Sequence, residues 1–264
     1  MKKFIKILVS AILAVSMLAC FTGCNKKSDL EKIDEAGKIV IGITIYEPMD
    51  YIDSETGDWT GFDAELARGF AEELGVNCQF VIITWSQKAI ELKANQIDLI
   101  WNGMTASDDL SADMDFSVSY ARNAQVAVVK SNSTISTKDQ IKTSKVAVES
   151  GSAGNKMATA EGMTNVAPVT AQIDALNEVV AGTSDVALID LTMAQSVVGT
   201  GAYSDLKIVS GVEYGAEVFA VGIRKDSDIK DRLDAYLKAK YQDNTLTTLA
   251  QKYNVVLNTE ALSA

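Results

Sequence analysis

A chain of 264 residues, 47% of them hydrophobic and 22% charged, is long enough for two ordinary lobes and too evenly mixed to be disordered or fibrous. It contains no histidine, which removes the commonest general base and the commonest metal ligand. Its formal net charge of −11 repels nucleic acid and anionic lipid headgroups.

Residues 1–6 are short and basic, and 7–21 form an almost unbroken apolar run, shorter than the roughly 20 residues of a membrane-spanning helix. Residues 1–23 are therefore expected to be a lipoprotein signal peptide. Thr22-Gly23-Cys24 looks like the end of a bacterial lipobox, so Cys24 is the expected lipid anchor, with Cys20 as second candidate. Cys24 is preferred because the polar stretch Asn25-Lys26-Lys27-Ser28-Asp29 follows at once, whereas Phe21 follows Cys20. A multi-chain lipid anchor attaches stably. Residues 24–37 are expected as a polar tether. Cys78 then remains as a lone thiol, read as a small buried hydrophobe, so the body must stand on its core without a disulfide.

Residues 38–45 read as an apolar, β-branched strand. Phe62, Leu66, Phe70 and Leu74 recur every four residues and predict a helix stopped by Gly75. A strand over 78–83 follows, then a helix capped by Ser86 and carrying Ile90 and Leu92, then a strand over 97–101 ended by Asn102-Gly103. The pattern resumes with a strand over 126–129, a weakly helical 131–143, and a strand over 145–148 that runs into a small-residue loop. A helix, a strand over 166–169, a helix with Ile173, Leu176 and Val180, and a strand over 185–189 come next. A helix to Val198 and strands over 206–209 and 218–223 complete this half. Two closing helices carry the faces Ile229, Leu233, Tyr236, Leu237 and Leu246, Leu249, Ala250, Tyr253.

Strands alternating with helices predict two α/β units built on largely parallel sheets. The closing helices have no sheet of their own and are expected to return to the first unit. This puts lobe 1 at 38–120 plus 219–264 and lobe 2 at 124–215, with crossings near 120–124 and 215–219 forming a hinge.

In this order the motifs resemble family 3 of the bacterial extracellular solute-binding proteins, the receptors of polar amino-acid ABC importers. The marks are Gly42-Ile43-Thr44-Ile45-Tyr46-Glu47-Pro48-Met49, Trp59-Thr60-Gly61-Phe62-Asp63-Ala64-Glu65-Leu66 and Ile97-Asp98-Leu99-Ile100-Trp101-Asn102-Gly103-Met104-Thr105. Met114-Asp115-Phe116-Ser117, Val148-Glu149-Ser150-Gly151-Ser152-Ala153-Gly154, Asp185-Val186-Ala187-Leu188-Ile189-Asp190 and Gly222-Ile223-Arg224-Lys225 continue the series. The resemblance implies a type II periplasmic-binding-protein fold, two α/β lobes joined by a two-strand hinge, with a ligand cleft between them.

Ligands of open α/β sheets bind beyond the carboxyl ends of the strands. Three loops lie there. Asn102, Gly103, Met104 and Thr105 offer close backbone approach and a hydroxyl. Ser150, Gly151, Ser152 and Ala153 open a helix whose free N–H groups favour a carboxylate. Asp190 can cap the next helix and, by the resemblance, pairs a ligand ammonium. The resemblance also makes Tyr46 and Trp85 the aromatic walls, on which a cation can lie. Trp101 reads as packing, and Tyr214 is a further candidate near the second crossing. At Leu110, seven residues after Gly103, the family usually has a carboxylate-gripping arginine; Ile43 and Glu149 also depart from its common residues, and Arg122 matches a hinge position. Asp190 and Glu149 would suit a cationic solute.

The expected function is a monomeric substrate-binding component that closes on a small polar solute, an amino acid or derivative. It would deliver that solute to a membrane permease, using no metal or other cofactor and binding no nucleic acid. The alternatives are a sensory or scavenging lipoprotein without its own permease and a cyclohexadienyl-dehydratase-like enzyme on the same fold. No nucleophile–base pair supports the latter.

Overall fold

A computed structural model describes residues 27–264; the expected signal peptide and Cys24 lie outside the described residues. The first half runs α1 (Asp29–Ala36), β1 (Lys38–Ile43), β2 (Tyr51–Ile52), β3 (Trp59–Thr60), α2 (Phe62–Leu74), β4 (Asn77–Ile82), α3 (Lys88–Lys93), β5 (Leu99–Ile100) and β6 (Met114–Phe116). The second half runs β7 (Ala121–Lys130), α4 (Lys138–Thr143), β8 (Val146–Glu149), α5 (Ala153–Ala160), β9 (Val166–Val169), α6 (Gln172–Ala181), β10 (Val186–Asp190), α7 (Leu191–Val197) and β11 (Leu206–Phe219). The chain closes with β12 (Gly222–Arg224), α8 (Ile229–Gln242), α9 (Thr245–Tyr253) and α10 (Thr259–Ser263).

Two five-stranded sheets form. The first has the order β4-β1-β5-β12-β6, with β4, β1 and β5 parallel and β12 antiparallel to both neighbours. The second has the order β11-β7-β10-β8-β9, with β10, β8 and β9 parallel and β7 antiparallel to β10 and β11. The four-residue recurrence in α2 buries Phe62, Leu66 and Phe70 against the first sheet, where Phe70 meets Trp101 edge-on at 6.3 Å. Gly75, in the left-handed region at φ 74°, closes this helix. The closing helices return to the first sheet's lobe: the Tyr236 hydroxyl donates to the Leu66 carbonyl at 3.0 Å, and Asn258 N–H to the Tyr120 carbonyl.

The lobes are joined by a ribbon. β7 and β11 pair antiparallel from Phe219↔Ala121 to Leu206↔Lys130, with bulges between Ile208 and Glu213 and between Tyr214 and Ala216. β11 is thus one strand of 14 residues, where its sequence suggested two short strands. Ser210, Gly211, Glu213, Gly215 and Glu217 interrupt the apolar pattern, because this edge strand faces solvent on one side.

The stretch expected as a polar tether is, from Asp29 onward, a helix with a Ser28–Glu31 capping box. Ile33 packs into the core. Arg224 donates to Asp29 at 2.9 Å, to Asp98 at 3.0 Å and to the Ile97 carbonyl at 2.6 Å. Burial alone would raise Asp29, but the bonds from Arg224 and Lys32 outweigh it and hold its carboxyl near 2.

Other expectations shift locally. Ser86 caps nothing; it lies in the 3-10 turn Trp85–Gln87, and α3 then buries Leu92 while Ile90 points outward. The strand expected over 97–101 pairs only at Leu99–Ile100, and helix in 131–143 is confined to Lys138–Thr143. In α6 the inward residue is Val179, not Val180. Tyr214 sits in the core of the second lobe under Lys138, away from the cleft. Cys78 is half-buried against the core, and burial pushes its thiol up to about 12, so it is unreactive.

Arg224→Met should destabilise the protein by roughly 3 kcal/mol, because it leaves Asp98 without its cation and Asp29 with Lys32 alone. The urea midpoint should fall with an unchanged m-value.

Candidate functional site

The carboxyl ends of β1 and β5 in one lobe face those of β8 and β10 in the other. Between them lies a cavity of about 220 Å³. Every expected site residue of the described chain except Ser150 and the further candidate Tyr214 lines it. Ser150 instead donates its N–H to the Val169 carbonyl at 2.9 Å, extending the β8–β9 ladder.

On the lobe 1 side, Tyr46 and Trp85 are buried walls, and Tyr46 packs edge-on against Phe219 at 6.4 Å. Asn102 turns its side chain back, accepting from Thr44 N–H at 2.7 Å and donating to the Thr44 hydroxyl at 2.9 Å, so it moors the loop. Gly103 has φ 54°, and an added Cβ would lie 2.7 Å from Tyr46 Cε1; only glycine lets this loop meet the aromatic wall. The Gly103 N–H donates to Asp63 at 2.6 Å, and the Tyr120 hydroxyl donates to the same oxygen at 2.8 Å. Asp63 thereby ties the binding loop to the entrance of the hinge. Its burial beside Asp50 raises its carboxyl. Thr105 donates to Glu217 of β11 at 3.0 Å, and Met104 is buried beneath.

On the lobe 2 side, Ser152 caps α5, accepting from Asn155 N–H at 3.1 Å, with Ala153 opening the first turn. Gly151 has φ 72°, and a Cβ there would lie 2.9 Å from Ser86 Cα, so this position is where the lobes approach most closely in backbone terms among the cleft glycines. Asp190, 4% exposed, ends β10. It stands at the N-cap position of α7 yet makes no side-chain cap bond. Its oxygens are taken by Asn123 Nδ2 at 2.6 Å, by Gln125 Nε2 at 2.5 Å and by Gln172 Nε2. Burial, then the neighbouring Glu217, raises its carboxyl; the amides oppose this.

Four further charged or amide side chains line the cavity that sequence reasoning did not place there, Lys88, Lys156, Gln172 and Glu217, together with Ser107, Met157 and Ala160. Leu110 lines it from the 3-10 turn Leu110–Ala112, so an apolar surface occupies the position where the resemblance implied arginine. Glu149, 2% exposed, has its Oε1 without a hydrogen-bond partner. Burial pushes its carboxyl up to about 8, with Asp190 adding and Lys88 opposing. Arg122 lies at the start of β7, outside the cavity, and is 3.7 Å from Glu260.

The lobes are in contact around this cavity. Lys88 Nζ donates to the Gly151 carbonyl at 3.0 Å, and Lys156 pairs with Asp109 at 2.5 Å. A cavity lined from both lobes, with a buried acid at a strand tip, is suited to hold a small polar solute.

Residues 39–256 match the family model of the bacterial extracellular solute-binding proteins, family 3. The chain belongs to that family. Among relatives, the arginine-binding extracellular protein ArtP of Bacillus subtilis is 24% identical over 96% of this chain and 98% of its own. The L-cystine-binding protein TcyJ of Escherichia coli K12 is 26% identical over 92% of this chain and 94% of its own. A solved substrate-binding protein of an ABC uptake transporter from Streptococcus pneumoniae, with bound histidine, superposes with a TM-score of 0.79. It is 27% identical, and the match covers 87% of this chain and 97% of that one. The family fold is therefore the type II periplasmic-binding fold that the motif order implied. Among the described residues no helix is long and apolar enough to cross a membrane.

The raised Glu149 carboxyl has a measurable consequence. Between about pH 4.5 and 8 the native protein holds a proton that the unfolded chain has lost, so stability falls as pH rises through that window. Glu149→Gln should remove this slope, which is at most about 1.4 kcal/mol per pH unit. Urea unfolding of both proteins at pH 5 and pH 8, without ligand, checks it; parallel losses would show that Glu149 titrates normally.

Proposed function

We propose that this protein is the extracellular substrate-binding component of an ABC importer, closing on an amino acid or amino-acid derivative. The supporting observation is the cavity itself: both lobes line it, and it offers an acid, hydroxyls, helix N–H groups and aromatic faces together. Asp190 takes the ligand's ammonium. Its three amide neighbours keep it oriented and are all donors, so a cation rather than a further donor-rich neutral group completes its shell. Tyr46 and Trp85 bracket the side chain. Thr105 and the first turn of α5 bind the remaining polar groups.

Closure follows from this arrangement. A ligand that touches both walls binds the closed form better than the open one, and that difference drives the hinge. The protein binds its solute and releases it unchanged, a reading that the binding-protein relatives support. Names of relatives bound to arginine, cystine and histidine support an amino-acid ligand, and the pneumococcal structure supports an ABC partner. The lipobox-like Thr22-Gly23-Cys24 supports attachment through a lipidated Cys24.

A thermal-shift screen of the twenty amino acids on full-length protein in detergent should give at least one clear stabilisation, about 2.7 kcal/mol at a hundred times the Kd. If none of them stabilises the protein, the amino-acid assignment fails. With the hit in hand, Asp190→Ala should weaken binding at least tenfold by calorimetry; unchanged affinity removes Asp190 from the site. Fractionation of cells expressing Cys24→Ser should move the protein from membrane to medium. Release by Cys20→Ser instead would relocate the anchor.

A further inference from the structure

The cavity carries a second charge that its acids do not neutralise. Two cations line it, Lys88 and Lys156. Lys156 is 43% exposed in its side chain and already paired with Asp109. Lys88 is only 5% exposed and forms no ion pair among the described residues. Its ammonium donates to two carbonyls, Trp85 at 3.2 Å and Gly151 at 3.0 Å, and lies 4.5 Å from the Trp85 ring centre. An ammonium has three N–H donors, so one remains for the cavity. Burying such a charge without a counter-ion is costly, and burial pulls its pKa down to about 8. Its bond to Gly151 also sets it beside the N-terminus of α5, where Ser152 satisfies only Asn155 N–H and the helix dipole favours an anion.

Glu149 is close enough for each to perturb the other's titration, yet the two are not bonded, and Glu149 Oε1 is itself unpartnered. A buried ammonium and a buried, unpartnered carboxyl thus face the same cavity unjoined. Leu110 meanwhile leaves the turn 110–112 without a cation to offer.

We propose that Lys88 is the carboxylate anchor of the cleft: from α3 and the adjoining turn it grips the ligand's carboxylate together with the first turn of α5, while the ligand's cation goes to Asp190 and Glu149. This rests on the amino-acid reading above. It sets the substrate class more narrowly, to solutes with a free carboxylate and at least one cationic group. It also gives Lys88 a part in closure, since its ammonium is held by carbonyls of both lobes.

The test uses full-length protein in detergent and three matched pairs: L-arginine with agmatine, L-histidine with histamine, and L-cystine with cystamine. Calorimetry on the wild type should show at least one acid bound tenfold or more tightly than its decarboxylated partner. In Lys88→Met the acid should weaken tenfold or more and the amine less than twofold, abolishing the preference, and Lys88→Arg should restore part of it. Lys88→Gln serves as a second variant if the methionine form does not fold. Equal weakening of acid and amine would mean that Lys88 merely supports the cleft, and an intact preference in the variants would place the anchor elsewhere; either overturns the proposal. Equal wild-type affinity within every pair overturns it without any variant. Binding of none of the six probes by the wild type would instead strike at the amino-acid reading on which it stands.

Discussion

A carboxylate in a closed cleft persists only if donors replace the water it has lost. At Asp190 those donors are the amides of Asn123, Gln125 and Gln172. Two of the three stand on β7, one of the two strands that run between the lobes. The same two amides donate to Glu217 on the partner strand β11, and Glu217 accepts from Thr105 of lobe 1. A continuous polar chain therefore links the loop of one lobe, both hinge strands and the acid of the other lobe. If Asp190 takes the solute's cation as proposed, that charge arrives on the ribbon that joins the lobes. Asn123 also accepts from Thr192 N–H and its hydroxyl, which fixes the start of α7 to the same ribbon.

Lobe 1 repeats this logic with a different acid. Asp63 lies inside α2 and is buried, yet it accepts from both Gly103 and Tyr120. One carboxylate thus positions the ligand loop and the residue that precedes β7. In the motif Trp59-Thr60-Gly61-Phe62-Asp63 the acid supports geometry rather than contacting solute. Gly61 is required for the same turn: at φ 121°, an added Cβ would lie 2.2 Å from the Met49 carbonyl oxygen.

Much of this was legible in the chain. Helical periodicity located α2 and the closing helices, because each buries one stripe of large residues. The strand-tip rule led to Gly103, Thr105, Gly151, Ser152 and Asp190, and the family resemblance to Tyr46; all six line the cavity. Local pattern failed where burial is decided from far away. Lys88 lies in the helix read from Ile90 and Leu92, where nothing local marks a lysine for burial; a residue 63 positions later, Gly151, closes over it. Glu217 and Gln172 are likewise polar residues in unremarkable stretches, brought to the cleft by pairing with residues 92 and 18 positions away. The stretch 28–36 looked like a tether since it is mostly charged, but Ser28 and Glu31 carried a capping signal, and Arg224 supplies the counter-charge that its composition concealed. Ser150 failed for a simpler reason: the β8 ladder extends one residue beyond its apolar run and claims the N–H that would have faced the cleft.

The direct contacts between lobes are too weak to hold the cleft shut by themselves. Lys156 and Asp109 form an exposed pair, and such pairs contribute up to about 1 kcal/mol, less in salt. The Lys88–Gly151 bond is one charge-assisted hydrogen bond, set against the cost of keeping that ammonium from water. Inside the cavity, burial raises the carboxyls of both Glu149 and Asp190, and Asp190 raises that of Glu149 further. On the proposed reading, closing the lobes without a solute therefore buries acids at a cost and gains little in return. A solute that supplies a cation to the acids reverses the sign of that balance, because each acid then gains a partner in the medium where the interaction is strongest. On that reading, the cost of burying these acids is what makes closure depend on the solute.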